Sequence, residues 1–191
     1  MIESKDAEIR LVVETFSPPV MLYRRACAQA QQAVRMAKEF SETGQYERRL
    51  REMDASITTI VLAQASAESW IYSAYRRAKV KPRRGGWVQR WVEAPKLICG
   101  EGTRGLDAST EQWLRTLGTW RNFLLHGDDT STKRLHSIVP EEEVADRLTS
   151  ELARIVIEQM DVSFTDAGAL LGVHGTAGLH SAFLWVASDE T

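Results

Sequence analysis

A small polar group interrupts an otherwise apolar run in the stretch TLGTWRNFLLHGDD, residues 116–129. Arg121 and Asn122 are adjacent, His126 follows five residues after the arginine, and Asn122 is the only asparagine in the chain. Arginine is a permanent planar cation that binds phosphate through two hydrogen bonds, and histidine exchanges protons near neutral pH. Asparagine adds hydrogen bonds to a neighbouring side chain or a phosphate oxygen without changing charge.

These three side chains suit the metal-free cleavage of RNA. In such a reaction His126 deprotonates a ribose 2′-hydroxyl, and Arg121 stabilises the negative charge that develops on the phosphoryl oxygens. DNA lacks that hydroxyl, so RNA is the expected substrate and DNA is not. The residue types therefore predict Arg121, Asn122 and His126 as catalytic residues, with no metal ion and no cofactor.

A single helix has to present all three residues. Ser109 or Thr110 is a predicted N-cap and Gly127 a predicted terminator, so the helix should span about 108–127. Steps of four, three and four residues place one apolar stripe against the core. The stripe consists of Trp113, Leu117, Trp120 and Leu124.

The spacing alone does not bring the arginine to the histidine. Asn122 and His126 are four residues apart and share a face, whereas Arg121 and His126 lie roughly 140° apart around the helix axis. Either the long arginine stem or fraying of the helix before Gly127 has to close this gap.

The rest of the chain favours helices that are separated by proline and glycine. Their lengths and patterns predict one all-α domain over 1–191, a bundle of four or five main helices with a core over about 20–160. Residues 161–191 are expected to form a C-terminal packing tail. The segment 6–16 fits a short helix or a strand equally. The predicted helices span about 19–42, 45–79, 86–98, 108–127 and 139–160.

The composition of the chain argues against several classes of protein. The chain has 191 residues and a net charge of −2, and residues 161–191 contain no lysine or arginine, which argues against a DNA-binding regulator. Cys27 and Cys99 match no metal-binding or redox spacing, so both are expected to be free and buried. The charged N-terminus and the lack of an apolar run of about 18 residues predict a cytoplasmic protein without a signal peptide or membrane span.

The segment RNFLLHG resembles the signature of the HEPN family, in which an arginine and a histidine are four to six residues apart and a polar residue often follows the arginine. WLRTLGTW before it, the trailing glycine and the upstream AQASAESWIYSAY are also similar to that family, over about residues 20–160. The resemblance implies an all-α homodimer in which two Arg/His motifs meet at the dimer cleft as a metal-independent endoribonuclease. Many such proteins are toxins or antiviral effectors, so an antitoxin or defence-system partner is implied.

By this resemblance Arg121, Asn122 and His126 are active-site residues, and Glu68 either supports those residues from behind or has a structural role. The chain departs from some members of the family at one position. Those members carry a tyrosine two residues after the histidine that a partner nucleotidyltransferase modifies, and here Asp128 stands there.

A second candidate feature is the basic segment 76–84. It is predicted to follow an RNA backbone, with a tryptophan beyond it available for stacking on a base. An equally good interpretation is a helix end with favourable cations and a solvated loop, and Trp87 and Trp91 are expected in the core. The basic residues are Arg76, Arg77, Lys79, Lys81, Arg83 and Arg84.

Two further interpretations of the motif remain open. The chain is alternatively a non-catalytic helical dimerisation or interaction module, in which the motif binds a phosphate or only shapes a helix end, where a histidine is favoured by the helix dipole. His126, Asp128 and Asp129 form a weak candidate for a metal site, but their spacing matches no familiar one, and a solvated turn is preferred.

Overall fold

The protein is all-helical over residues 17–171, the part of the chain that the computed structural model describes, and this part contains no strand. It contains seven α-helices and one 3₁₀ helix, where the sequence predicts four or five main helices. The ambiguous segment 6–16 and the tail from 172 onward lie outside the described residues. The α-helices are α1 (Pro18–Thr43), α2 (Tyr46–Arg77), α3 (Trp87–Cys99), α4 (Ala108–His126), α5 (Asp129–His136), α6 (Val144–Arg147) and α7 (Ser150–Leu171), and the 3₁₀ helix is Glu141–Glu143.

Helices α1 and α2 form the largest helix pair of the fold. Gly44 ends α1 in the left-handed conformation and donates its N–H to the carbonyl of Phe40, so a two-residue turn folds α2 back against α1. Small residues line both contact faces, which allows the helix axes to approach closely. The buried alanines are Ala26, Ala30 and Ala33 on α1 and Ala55, Ala63, Ala67 and Ala74 on α2.

An aromatic cluster joins α1, α2, α3 and α7. Trp70 stacks on Trp91 with ring centroids 4.9 Å apart, and Phe164 packs edge-on against Trp70 and Tyr23. The polar edges are satisfied, because Tyr23 donates to the carbonyl of Ile157 and Trp91 donates to the carbonyl of Ala67. This cluster fixes α3 against α2. The tryptophan that opens α3 therefore has a defined position next to α4.

The helix predicted over 139–160 is not continuous, and that prediction was wrong. Leu148 has a non-helical ψ of 68°, and a new helix begins at Ser150. The cause is a contact with α2: the buried Glu52 carboxylate accepts the N–H of Ser150 at 2.7 Å, and Arg49 donates to both Glu52 and the Leu148 carbonyl. Helix α7 then continues to Leu171, past the predicted end near Met160.

The two cysteines differ from each other. Cys27 is free and buried as expected, and burial raises the pKa of its thiol to about 12. Cys99 is free but exposed at the end of α3, so the prediction that it is buried was wrong.

Among the helices of residues 17–171, none has the length and apolarity to cross a membrane.

Candidate active site

Helix α4 carries the predicted catalytic residues and is held by its apolar face. Leu114, Leu117 and Trp120 are buried, whereas Trp113 and Leu124, which were expected in the same stripe, are half-buried. The helix begins at Ala108 after Asp107, so the predicted caps Ser109 and Thr110 lie inside its first turn, and Thr110 is buried there. The packed half of the helix fixes the position of its C-terminal turns.

Arg121 contacts both of its predicted partners. One guanidinium nitrogen, Nη1, lies 3.0 Å from Oδ1 of Asn122 and 3.2 Å from Nε2 of His126. The helix remains regular through His126, so the reach of the arginine side chain closes the gap around the axis and fraying does not. The three residues form one hydrogen-bonded cluster at the end of α4.

The cluster has a defined donor and acceptor pattern. A guanidinium only donates, so Nε2 of His126 accepts in this contact and the proton of a neutral imidazole is on Nδ1. Arg121 is half-buried, and its Nε is enclosed without a hydrogen-bond partner among the described residues. His126 is exposed, so its ring is accessible to a substrate from solvent.

The end of α4 is followed directly by a helix that is not among the predicted ones. Gly127 adopts a left-handed φ of 57° and closes α4. Asp128 then caps α5, because its Oδ1 accepts the N–H of Ser131 at 2.7 Å. Hydrogen bonds from Ser131, and the nearby His126, hold the pKa of Asp128 below its usual range. The expected solvated turn at Asp128 and Asp129 is therefore a helix start.

A groove of about 680 Å³ runs beside this cluster, between the start of α3, one face of α4 and the short α5. Asn122 and His126 line it, while Arg121 is not among the lining residues and contacts the two that are. Arg121 thus supports the groove wall from one side. The other lining residues are Gly86, Trp87, Val88, Gln89, Arg115, Gly118, Thr119, Asp128, Thr130, Ser131 and Arg134.

Trp87 has a different environment from the one expected. It is only half-buried and lines the groove, whereas Trp91 is buried in the aromatic cluster as predicted. Its indole occupies the space beside Gly118: a Cβ at 118 would lie 3.3 Å from Cζ2 and 3.5 Å from Nε1 of Trp87. A tryptophan four residues before a buried one gives no signal in the sequence that it borders a groove.

The remaining predicted residues neither bond to the cluster nor line the groove in the part of the chain that the structure describes. Glu68 accepts a hydrogen bond from Gln64 at 3.0 Å, and within residues 17–171 no hydrogen bond links Glu68 to Arg121, Asn122 or His126. The basic residues of 76–84 are all exposed, and none of them lines the groove. The cations that do line it are Arg115 and Arg134, which no sequence motif singles out.

The described part of the chain holds no group of three or more histidine, cysteine, aspartate or glutamate side chains suited to a metal ion. Comparison of the chain with protein-family models, curated proteins and solved structures finds no match. An inference about function therefore depends on the chemistry of the cluster and of the groove beside it.

Proposed function

We propose that the protein is a metal-independent endoribonuclease that cleaves RNA by 2′-OH transesterification at the end of α4. The observation that carries this proposal is the contact of 3.2 Å between Nη1 of Arg121 and Nε2 of an exposed His126 beside a groove. This reaction requires a cation and a proton acceptor next to each other, and Arg121 and His126 are such a pair.

In the proposed reaction the contact from Nη1 of Arg121 to Nε2 of His126 opens, and the freed Nε2 takes the proton of a ribose 2′-hydroxyl. The 2′-oxygen then forms a bond to phosphorus while the bond from phosphorus to the 5′-oxygen breaks, and the leaving oxygen takes a proton from solvent or from the imidazole of a second copy. The products are a 2′,3′-cyclic phosphate and a 5′-hydroxyl. Asn122 holds the guanidinium in place through its Oδ1.

Arg121 has donors left for the phosphate. Its Nη1 serves both Asn122 and His126, and its Nη2 makes no hydrogen bond within residues 17–171. A guanidinium carries five N–H donors, so Nη2 can bind a phosphoryl oxygen that enters beside His126 while Nη1 keeps its contact with Asn122. The contact from Nη1 to Nε2 of His126 is given up when the imidazole acts as the base. In this proposal Arg121 both clamps the phosphate and orients the imidazole.

We further propose membership of the HEPN family, a homodimer, and a role as a toxin or defence effector with an antitoxin or other partner. The all-helical bundle and the Arg-Asn-x-x-x-His cluster support the family assignment. The homodimer itself is proposed from the family resemblance; Leu125, next to the cluster and 49% exposed, is the residue at this end of α4 chosen to probe it. Light scattering of the purified protein and of Leu125→Glu tests the dimer, and the variant should shift the protein toward monomer.

Cleavage of single-stranded RNA by purified protein in the presence of EDTA tests the activity. The wild type should yield fragments that end in a 2′,3′-cyclic phosphate, and Arg121→Ala and His126→Ala should each lose this activity. His136→Gln is the matched control, because His136 lies on neighbouring α5 but outside the groove. If the folded wild type cuts no RNA, or if His126→Ala cuts normally, the proposed activity is wrong and a non-catalytic module is favoured.

A further inference from the structure

The groove is larger than the cluster needs. One ribose-phosphate linkage at His126 occupies only part of about 680 Å³, and the groove continues to Trp87 and Arg134 on two other helices. Volumes of 300–1,000 Å³ are typical of sites that enclose a whole small ligand. The part of the groove beyond His126 therefore has room for a nucleotide next to the linkage that is cleaved.

Trp87 offers an aromatic surface in this part of the groove. It stands at the first position of α3, and α3 is fixed by Trp91 in the core and by a hydrogen bond of 2.9 Å from Tyr75 to the carbonyl of Arg90. Its indole rests beside Gly118, where no side chain fills the space. A half-exposed tryptophan on a rigid helix is the kind of group on which an unpaired base stacks.

Arg134 offers a cation in the same groove. Its guanidinium makes no ion pair with any residue of 17–171, whereas Arg115, which also lines the groove, is paired with Glu111. The one acidic side chain that lines the groove, Asp128, is occupied by the N–H of Ser131. The groove therefore keeps one unpaired arginine for an anion.

We propose that Trp87 and Arg134 form a nucleotide subsite of single-stranded RNA, in which the base stacks on Trp87 and a backbone phosphate is bound by Arg134. The choice of RNA as ligand rests on the proposed function. The subsite would determine which bond lies at His126, because it fixes the strand one nucleotide away. Its contribution is binding and positioning, and it takes no part in proton transfer.

The test uses a fluorescein-labelled oligouridine in which every ribose is 2′-O-methylated, so that it binds but is not cleaved. Its affinity is measured by fluorescence anisotropy over a range of salt concentrations. Trp87→Leu should weaken binding about fivefold or more, because stacking on an aromatic side chain is lost. Arg134→Gln should lower the slope of log Kd against log salt by about 0.7, the value for one phosphate contact to a single strand.

Lys133→Gln is the matched control for Arg134→Gln. It removes the same charge from the adjacent exposed position of α5, but Lys133 does not line the groove. We expect Lys133→Gln to reduce the affinity at moderate salt, and the slope of log Kd against log salt, by less than Arg134→Gln does. If Trp87→Leu and Arg134→Gln bind like the wild type or like Lys133→Gln, the subsite is wrong, and the same conclusion follows if the wild type does not bind the probe.

A second measurement does not depend on any variant folding. The same oligonucleotide with 5-bromouridine is crosslinked to the wild type by light, and the adduct is located by peptide mass spectrometry. An adduct at Trp87 is expected, and adducts only elsewhere overturn the proposal. Cleavage of unmodified RNA separates the two proposals: a wild type that binds through Trp87 but never cuts retains the subsite and loses the nuclease.

Discussion

The two halves of α4 share one helix but are built for different purposes. The first half presents Leu114 and Leu117 to the core, and both are fully buried. The second half presents Arg121 and His126 to each other beside a groove, and His126 is exposed. The core half is held by buried leucines, whereas the motif half combines the buried Trp120 with the polar cluster on its other side.

This difference shows how the fold provides a site without relying on it for stability. The aromatic and alanine-rich core of α1, α2, α3 and α7 holds the first half of α4 in place, so the last two turns can carry half-exposed polar groups. Substitutions in the two halves should therefore affect separate measurements, stability for one and activity for the other. Four predictions test this separation.

The largest effect is expected on catalysis from His126→Ala. Loss of a general base lowers rates by about 10²–10⁴-fold, while an exposed side chain at a helix end should change the free energy of unfolding by less than about 0.5 kcal/mol. RNA cleavage in EDTA and urea denaturation of the same preparation check both values. A large loss of stability together with the loss of activity would show that the motif half of α4 also stabilises the fold.

The opposite result is expected from Leu117→Ala in the core half. Truncation of a fully buried leucine costs about 2–5 kcal/mol, because it leaves a cavity. Denaturation should show this loss, and cleavage per folded molecule should stay near the wild-type value at low temperature. Gln112→Ala on the exposed face of the same helix is the control, with a change within about 0.5 kcal/mol.

The sequence predicted the elements whose signals are local. The first four predicted helices agree with α1 to α4 to within about two residues, and Gly127 ends α4 as expected, because apolar period and glycine act over short distances. The predicted 139–160 helix was wrong, because the break at Leu148 depends on Glu52, about a hundred residues earlier in the chain. Contacts of that kind leave no trace in local periodicity.

The residues of the candidate site also divide into those with a local signal in the sequence and those that depend on how distant helices pack. Arg121, Asn122 and His126 were selected from residue type and spacing, and the structure places Asn122 and His126 each within hydrogen-bond distance of Arg121. Arg134 was not selected, and Trp87 was expected in the core, because the approach of both to the groove requires α3 and α5 to pack beside α4. Short capped helices such as α5 carry too few apolar residues to show a period.

A smaller effect is expected from Gly118→Ala, which lies at the boundary between the two halves. The new Cβ would lie 3.3 Å from Cζ2 of Trp87, and the half-buried indole has to move by a few tenths of an ångström. Alanine in a helix interior gains about 0.5–1 kcal/mol over glycine, which offsets the strain, so the free energy of unfolding should change by less than about 1 kcal/mol. Affinity for the methylated oligouridine should fall, as measured by anisotropy. Unchanged affinity would argue that the position of Trp87 is irrelevant to RNA.

The smallest effect concerns Asp128, the cap between the motif and α5. Its folded pKa is below the ordinary value because the Ser131 N–H is bound to the carboxylate, so ionisation stabilises the fold above the unfolded pKa. That stabilisation should be lost as pH falls below about 4 and through the folded pKa. Asp128→Asn keeps a capping oxygen but cannot titrate.

The comparison of Asp128→Asn with the wild type by urea denaturation from pH 7 to pH 3 isolates this carboxylate. The wild type should be the more stable at pH 7, and its advantage should shrink as the pH falls, while the other acidic groups contribute equally to both proteins. Binding of the oligouridine should follow the same trend, because the cap holds the start of the helix that carries Arg134. A difference between the two proteins that is constant with pH would mean that the Ser131 contact does not favour the ionised carboxylate, and that α5 is held to the end of α4 by packing alone.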